Sequence, residues 1–325
     1  MHTILRQIKK SLKNDYSEYD KTFTSIMRSK VGLVENIAKY IVRHKGKGLR
    51  PLLVLLSARI LGKPNKATFM VASVVELLHT ATLVHDDVVD EAQVRRNLPS
   101  INALWKNKTS VLMGDYLLAK SLISATEIGN IEIMQILAET AKRLSQGELF
   151  QIEKSRKLDI TEEEYFQLIS DKTAALISAC CELGALTVSQ RIDDRSNMRS
   201  FGENVGLAFQ ITDDLLDYEG SQTIIGKPVG SDLKEKKITL PLILSFKRAS
   251  EKDKKNIIRL LKKGVNKNDI EKILAFIQMN EGLKSAKIKA AQFAQKAKDS
   301  IAHYSDGIYK ENANLFVDYI LSRKR

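Results

Sequence analysis

Two cysteines, five prolines and one tryptophan in 325 residues exclude several classes of protein. Cys180 and Cys181 are adjacent in an apolar stretch, which suits neither an ordinary disulfide nor the spaced ligand pairs of a zinc site. They read as core filling. The prolines (Pro51, Pro64, Pro99, Pro228, Pro241) do not gather with Gly and Ser into a linker, so a single domain over residues 1–325 is expected. No unbroken apolar run reaches the roughly 18 residues of a membrane span. Met1 to Asn14 is basic and mixed in polarity, without the apolar centre of a secretory signal, so the expected location is the cytoplasm. Aromatics are 6% and no nucleic-acid motif is present, which argues against nucleic acid as a partner despite a net charge of +13. Much of the lysine is scattered, as at Lys252, Lys254, Lys255, Lys262 and Lys263, and reads as solvated surface; an anionic substrate or membrane is its second use.

What the sequence does have is helical periodicity. Ala67 to Glu91 carries Val71, Val74, Val75, Leu78, Thr82 and Val88 near a 3.6-residue period, and Ala174 to Leu186 is similarly apolar. Long alternating β-branched runs are absent. Breaks are expected at Lys45–Gly48, Gly62–Asn65, Asn97–Ser100, Gly129–Asn130, Ile192–Ser196 and Gly220–Asp232. An all-α bundle of roughly ten or more helices around a central cavity follows, with sites built from facing helices. The one longer irregular stretch, Glu219 to Lys237, reads as an active-site lid.

The chemistry is concentrated in an acidic cluster that occurs twice. Asp86-Asp87-Val88-Val89-Asp90 returns as Asp213-Asp214-Leu215-Leu216-Asp217. Carboxylates three and four residues apart share one helix face, where they repel and lose hydration, so a polyvalent cation compensates them. Oxygen-only ligation favours a hard ion such as Mg²⁺, which is usually held by a few carboxylates together with substrate phosphates. Arg95 and Arg96 follow the first cluster and can fork onto phosphate oxygens. The basic turn Lys45-Gly46-Lys47-Gly48-Leu49-Arg50-Pro51 opens an apolar helix, where backbone amides and partial positive charge favour anions. His79, His85, Lys172, Thr173, Gln210, Lys227 and Lys237 complete the polar groups near apolar runs; either histidine could equally be a hydrogen-bonded core residue.

Together these residues resemble the trans-isoprenyl diphosphate synthases (polyprenyl synthetase family), in particular the long-chain octaprenyl type that makes quinone side chains. The resemblance covers nearly the whole chain. It rests on Gly46–Pro51, Leu78–Asp90 with Arg95-Arg96, Asp171–Ala174, Phe209–Asp217, and Gly226–Gly230 with Lys237–Pro241, in that order. It implies that Lys47, Arg50, His79 and Arg96 hold isopentenyl diphosphate. It implies that Asp86, Asp87, Asp90, Asp213, Asp214 and Asp217 bind Mg²⁺, three ions with bound diphosphate. Arg95, Lys172, Lys227 and Lys237 would contact the allylic diphosphate, and Thr173 and Gln210 would lie near the developing cation. A homodimer is implied by the family alone, and transient membrane contact would serve release of an apolar product. A geranylgeranyl diphosphate synthase is a shorter-chain alternative, and a non-catalytic subunit of a prenyl synthase is the alternative from another class. A class I terpene cyclase fits less well, because its second motif is normally of the Asn/Ser/Glu type.

Three positions depart from the family pattern. Gly48 stands where Arg is common, which is expected to weaken isopentenyl diphosphate binding slightly. Asn97 replaces a Gly after the Arg pair, and Lys236 replaces the Gly before Lys237, which is expected to alter lid geometry. Ala81 and Thr82, five and four residues before Asp86, are small where short-chain synthases place bulky aromatics. An open tunnel and a long product follow, with a deeper floor on the Ser110–Leu122 helix, from residues such as Met113, Leu117 and Leu118.

Overall fold

The computed structural model describes residues 2–95, 98–219 and 230–323. Its helices are α1 (His2–Ser11), α2 (Lys13–Met27), α3 (Gly32–Arg43), α4 (Leu49–Leu61), α5 (Lys66–Val89), α6 (Ile101–Thr126), α7 (Ile131–Lys157), α8 (Glu162–Ile169), α9 (Ala175–Leu186) and α10 (Ile192–Glu219). They continue as α11 (Ser231–Lys234), α12 (Leu240–Arg248), α13 (Glu251–Lys263), α14 (Lys267–Met279), α15 (Gly282–Ser300) and α16 (Ile308–Leu321). Between α8 and α9 one turn, Ser170–Ala174, is a π-helix. The extended structure among the described residues is one two-residue antiparallel pair, β1 (Val94–Arg95) with β2 (Leu98–Pro99). The fold is all-α.

Local sequence explains where several helices begin. Asn65 caps α5 by accepting from the Ala67 and Thr68 amides, while the Thr68 side chain accepts from the Asn65 amide. Thr161 and Glu164 form the same reciprocal box on α8, as do Asn266 and Asp269 on α14. Each such cap contributes about 1 kcal/mol. One expected break was misplaced. Ile192–Ser196 is the first turn of α10, and the chain bends at residues 187–191 instead. Asp193 and Asp194 sit where a helix N-terminus favours negative charge, and Ser189 donates to Asp194 at 2.6 Å. The irregular stretch expected over Glu219–Lys237 is also partly helical: α10 runs through Glu219 and α11 occupies Ser231–Lys234. Its centre, Gly220–Val229, lies outside the described residues.

The core lies around α4, α5, α9 and α10, with α6 packed along α5 and α15 along α10. Leu52 to Leu56 of α4 are all buried, as are most residues of α9, including both free thiols. A second apolar cluster joins α8 and the C-terminal half of α10 to α12, α14 and α15. By length and mean hydropathy α5 would suffice to cross a membrane, although Glu76, His79, Asp86 and Asp87 interrupt its apolar run. Most of it is buried inside the protein, and its apolar surface is spent on α4, α6 and α9.

The π-turn is held by close approach on two sides. A Cβ at Gly206 of α10 would stand 2.4 Å from Ala174 Cα, and one at Gly147 of α7 would stand 2.7 Å from the Lys172 amide nitrogen. Only hydrogen fits at either place. Gly206→Val should therefore destabilise the protein by about 1–3 kcal/mol and lower turnover by displacing the π-turn. Urea denaturation and steady-state kinetics check this; an unchanged midpoint with full activity would refute it.

Candidate active site

Both acidic clusters sit at helix ends. The first closes α5, with Asp90 as its C-cap residue, and the second lies near the end of α10. Their six carboxylates are not equivalent. Asp87 is buried and paired with Arg95 of β1, and the Tyr40 hydroxyl donates to Pro99 O of the partner strand β2 at 2.7 Å. Asp217 accepts from the Ser231 hydroxyl at 2.7 Å and the Asp232 amide at 3.1 Å, so it anchors the chain entering α11. Asp214 accepts from the Tyr165 hydroxyl at 2.6 Å and from Gln210 Nε2 at 2.8 Å. Asp213 accepts from Arg323 at 3.2 Å, and that guanidinium also covers the Phe209 ring.

A cavity of about 200 Å³ brings the second cluster together with the π-turn. Asp213, Asp214, Lys172, Thr173, Gln210, Asp232 and Lys237 line it, with Tyr165, Ile160, Leu168, Ile169 and Ile238. Lys172 is bonded to Glu148 at 2.6 Å and to Gln151 at 2.9 Å, both on α7. Thr173 donates to Gln210 at 2.7 Å, completing a chain from Thr173 through Gln210 to Asp214. Asp86 faces the same region. Its carboxyl is pushed up from 3.8 to about 6 by burial, with Glu148 and Asp90 adding to the shift and Lys172 and Arg95 opposing it. Asp232 is likewise pushed to about 6, by burial first and Asp217 second, and burial also raises Asp214. Lys237 is half-buried, and although that burial lowers its pKa, its bond to Glu235 and the nearby Asp90 and Asp232 hold its ammonium above its ordinary value.

A second, more apolar cavity of about 90 Å³ adjoins the first cluster. Lys45, Gly46, Glu76, His79, Asp87 and Arg95 contribute to it, with Thr80, Leu83 and Val84 of α5. Arg50 lies in the first turn of α4, and Lys47 Nζ reaches the Tyr319 hydroxyl at 3.4 Å. His85 is half-buried: its Nε2 lies 3.3 Å from Val111 O and 3.3 Å from Asp115, against Gly114 of α6, whereas His79 is buried. Ala81 is buried, and the Thr82 hydroxyl donates to His79 O at 2.9 Å. Met113 and Leu117 are buried on α6, which runs Ile101–Thr126 with non-helical backbone at Lys106. Arg96, Asn97 and Lys227 lie outside the described residues. Lys236 takes a left-handed backbone (φ 58°), the conformation a glycine adopts more readily.

A family model described as polyprenyl synthetase matches residues 31–277. The chain belongs to that family. It is a trans-prenyl diphosphate synthase. It is 34% identical over 298 residues to an all-trans-nonaprenyl-diphosphate synthase (geranyl-diphosphate specific) of Rhodobacter capsulatus, covering 91% of each chain. To the octaprenyl diphosphate synthase of Escherichia coli it is 31% identical, over 94% of this chain and 95% of that one. A solved polyprenyl synthase of Caulobacter crescentus, complexed with calcium and isoprenyl diphosphate, superposes with a TM-score of 0.91. That pair is 31% identical, over 99% of this chain and 98% of that one.

Among the described residues of this prenyl synthase, no three carboxylates form a ready-made metal cage. The donor set nonetheless fits Mg²⁺, which takes one or two carboxylates and completes its shell with substrate phosphates and water. Several carboxylates raised by burial and by each other are the uncompensated charge such an ion would relieve. Reading the sequence missed Glu148, Gln151, Tyr165, Ser231 and Asp232. The signals were present: Gly147 inside a helix beside Glu148, and Asp232 five residues before Lys237.

Asp86 gives a test of this electrostatics. Its folded value lies above its unfolded one, so an ionised Asp86 opposes folding above about pH 6, and the cost fades as pH falls through that value. Asp86→Asn should raise the melting temperature of metal-free protein at pH 7.5 by roughly 1–3 °C. The same change should cut turnover by orders of magnitude. A lowered melting temperature would contradict the assignment.

Proposed function

We propose that this synthase adds isopentenyl diphosphate in trans to an allylic diphosphate, farnesyl or similar, and stops at octaprenyl diphosphate for quinone side chains. The observation that carries this is the convergence of Asp86 and Asp90 with Asp213, Asp214, Lys172 and Lys237, beside a second cavity lined by the basic turn, His79 and Arg95. The first arrangement suits a metal-chelated allylic diphosphate, and the second an isopentenyl diphosphate.

Asp86, Asp87, Asp90, Asp213, Asp214 and Asp217 would hold Mg²⁺, three ions with bound diphosphate, and the ions would supply the neutralisation that makes the allylic diphosphate a leaving group. Lys172, held by Glu148 and Gln151, and Lys237, held by Glu235, present fixed positive charge where the C–O bond breaks. Lone pairs on Thr173 and Gln210 face the carbon that becomes cationic, and Ile160, Leu168, Ile169 and Ile238 keep water from it. The isopentenyl double bond forms the new C–C bond, and a proton leaves to the released diphosphate. The chain regains an allylic diphosphate one C5 unit longer.

Product length rests on the small residues Ala81 and Thr82 beneath the first cluster. Each added CH₂ that is buried contributes about 0.8 kcal/mol, which favours continued elongation where no floor intervenes. Supplied with labelled isopentenyl diphosphate, farnesyl diphosphate and Mg²⁺, the enzyme should give a C40 product on sizing. Ala81→Phe or Thr82→Tyr should shorten it. A C20 stop by the unaltered protein would make it a geranylgeranyl diphosphate synthase, and unchanged products from both variants would refute the tunnel path.

We also propose a cytoplasmic homodimer. An apolar stripe on α6, comprising Leu104, Val111, Leu112, Leu122 and Ile123, is exposed in the single chain and fits a self-complementary contact. Light scattering on the soluble cell fraction should give twice the chain mass. A monomer, or recovery only with membranes, would overturn this.

A further inference from the structure

The π-turn Ser170–Ala174 presents its side chains to two different places. Lys172 and Thr173 line the cavity with Asp213 and Asp214, whereas Ser170 and Asp171 open onto a separate groove, beside Arg143 of α7 and Glu203 of α10. Arg143 forks onto both groove residues: Nε donates to Asp171 at 2.7 Å, and Nη2 donates to Ser170 Oγ at 2.7 Å. The Ser170 hydroxyl in turn donates to Glu203, whose carboxylate stands 3.6 Å from Arg143 Nη2. Gln167 Nε2 donates to the other Asp171 oxygen at 2.5 Å. One half-buried guanidinium thus ties α7, the turn and α10 together. Gly147 lies four residues beyond Arg143, and Gly206 three beyond Glu203, spacings that share a helix face.

We propose that Arg143 is a positioning residue of the synthase, holding the π-turn in the register that presents Lys172 to the allylic diphosphate. Arg143 itself does not line the cavity; it acts through Ser170 and Asp171, the two residues before Lys172. A π-turn carries one residue more than a regular helix turn, and the Ala175 amide reaches back across it to Ser170 O. If that extra residue slips by one position along the helix, the side chains rotate by about 100°. Lys172 would then turn away from the cavity. Gly147 and Gly206 set how near the turn packs, but a missing Cβ has no directional preference. Arg143 supplies the direction, because a planar guanidinium bonds two consecutive side chains in one orientation. The same helix therefore holds Lys172 twice: Glu148 and Gln151 fix its ammonium, and Arg143 fixes the backbone that carries it. A merely stabilising role fits less well, since an ion pair this open to water contributes little to global stability.

The inference rests on the reading of Lys172 as an allylic diphosphate contact, and a double-mutant cycle on full-length protein keeps the two apart. Rates are measured with farnesyl diphosphate, isopentenyl diphosphate and Mg²⁺. Arg143→Met should lower kcat by about tenfold, the scale of loss that a small misplacement of a fixed charge produces. KM for isopentenyl diphosphate should change by less than about twofold. In a Lys172→Met background the same substitution should lower kcat by less than about threefold, because the charge it positions is gone. Asp171→Asn breaks the contact from the other end and should give the same pattern, which carries the test if Arg143→Met does not fold. A folded variant with kcat within about twofold of the unaltered protein would overturn the role of Arg143 alone. So would a tenfold loss repeated in the Lys172→Met background, or a matching rise in KM for isopentenyl diphosphate. Full turnover by Lys172→Met would overturn the reading of Lys172, and this inference with it.

Discussion

The structure is organised around negative charge placed on two largely buried helix turns. Asp86 and Asp214 are each raised by burial, and their acidic neighbours Glu148 and Asp232 raise them further. A chain that folds without a cation carries this cost in its stability, and it must recover it from the apolar packing of α4, α5, α9 and α10. The same cost makes the site receptive to a metal-bound diphosphate. Lys172 and Lys237 soften the repulsion without cancelling it, which leaves the cavity preorganised for an anion and its counter-ions.

Supporting residues keep those charges in place. Gly147 and Gly206 let α7 and α10 close on the π-turn from two sides, so Lys172 and Thr173 project from backbone that can barely shift. Asp87 and Asp217 belong to the clusters in sequence, yet each holds a neighbouring segment: Asp87 fixes the short β-pair through Arg95, and Asp217 fixes the start of α11.

Much of this was legible in the chain. The 3.6-residue period over Ala67–Glu91 is α5 at Lys66–Val89, and the apolar stretch from Ala174 is α9. Lys172 and Thr173 line one cavity with Asp213 and Asp214, and Lys45 and Gly46 of the basic turn line another with Asp87. The break expected at Ile192–Ser196 is a helix start instead, with Asp193 and Asp194 in the first turn of α10. His85 could not be assigned from its own helix, because Gly114, which decides its place, lies on α6.

The sequence by itself determined the helical class, the family, the oxygen-only acidic clusters and the basic groups around them. These follow from short-range periodicity and residue chemistry, which neighbouring positions carry. Only the tertiary structure decided which carboxylates face the cavity, that Glu148 and Gln151 hold Lys172, and that Arg143 holds Ser170 and Asp171. Those pairings join residues far apart in the chain. They depend on how helices pack, where a missing Cβ or a few ångströms set the contact, and no local pattern records that.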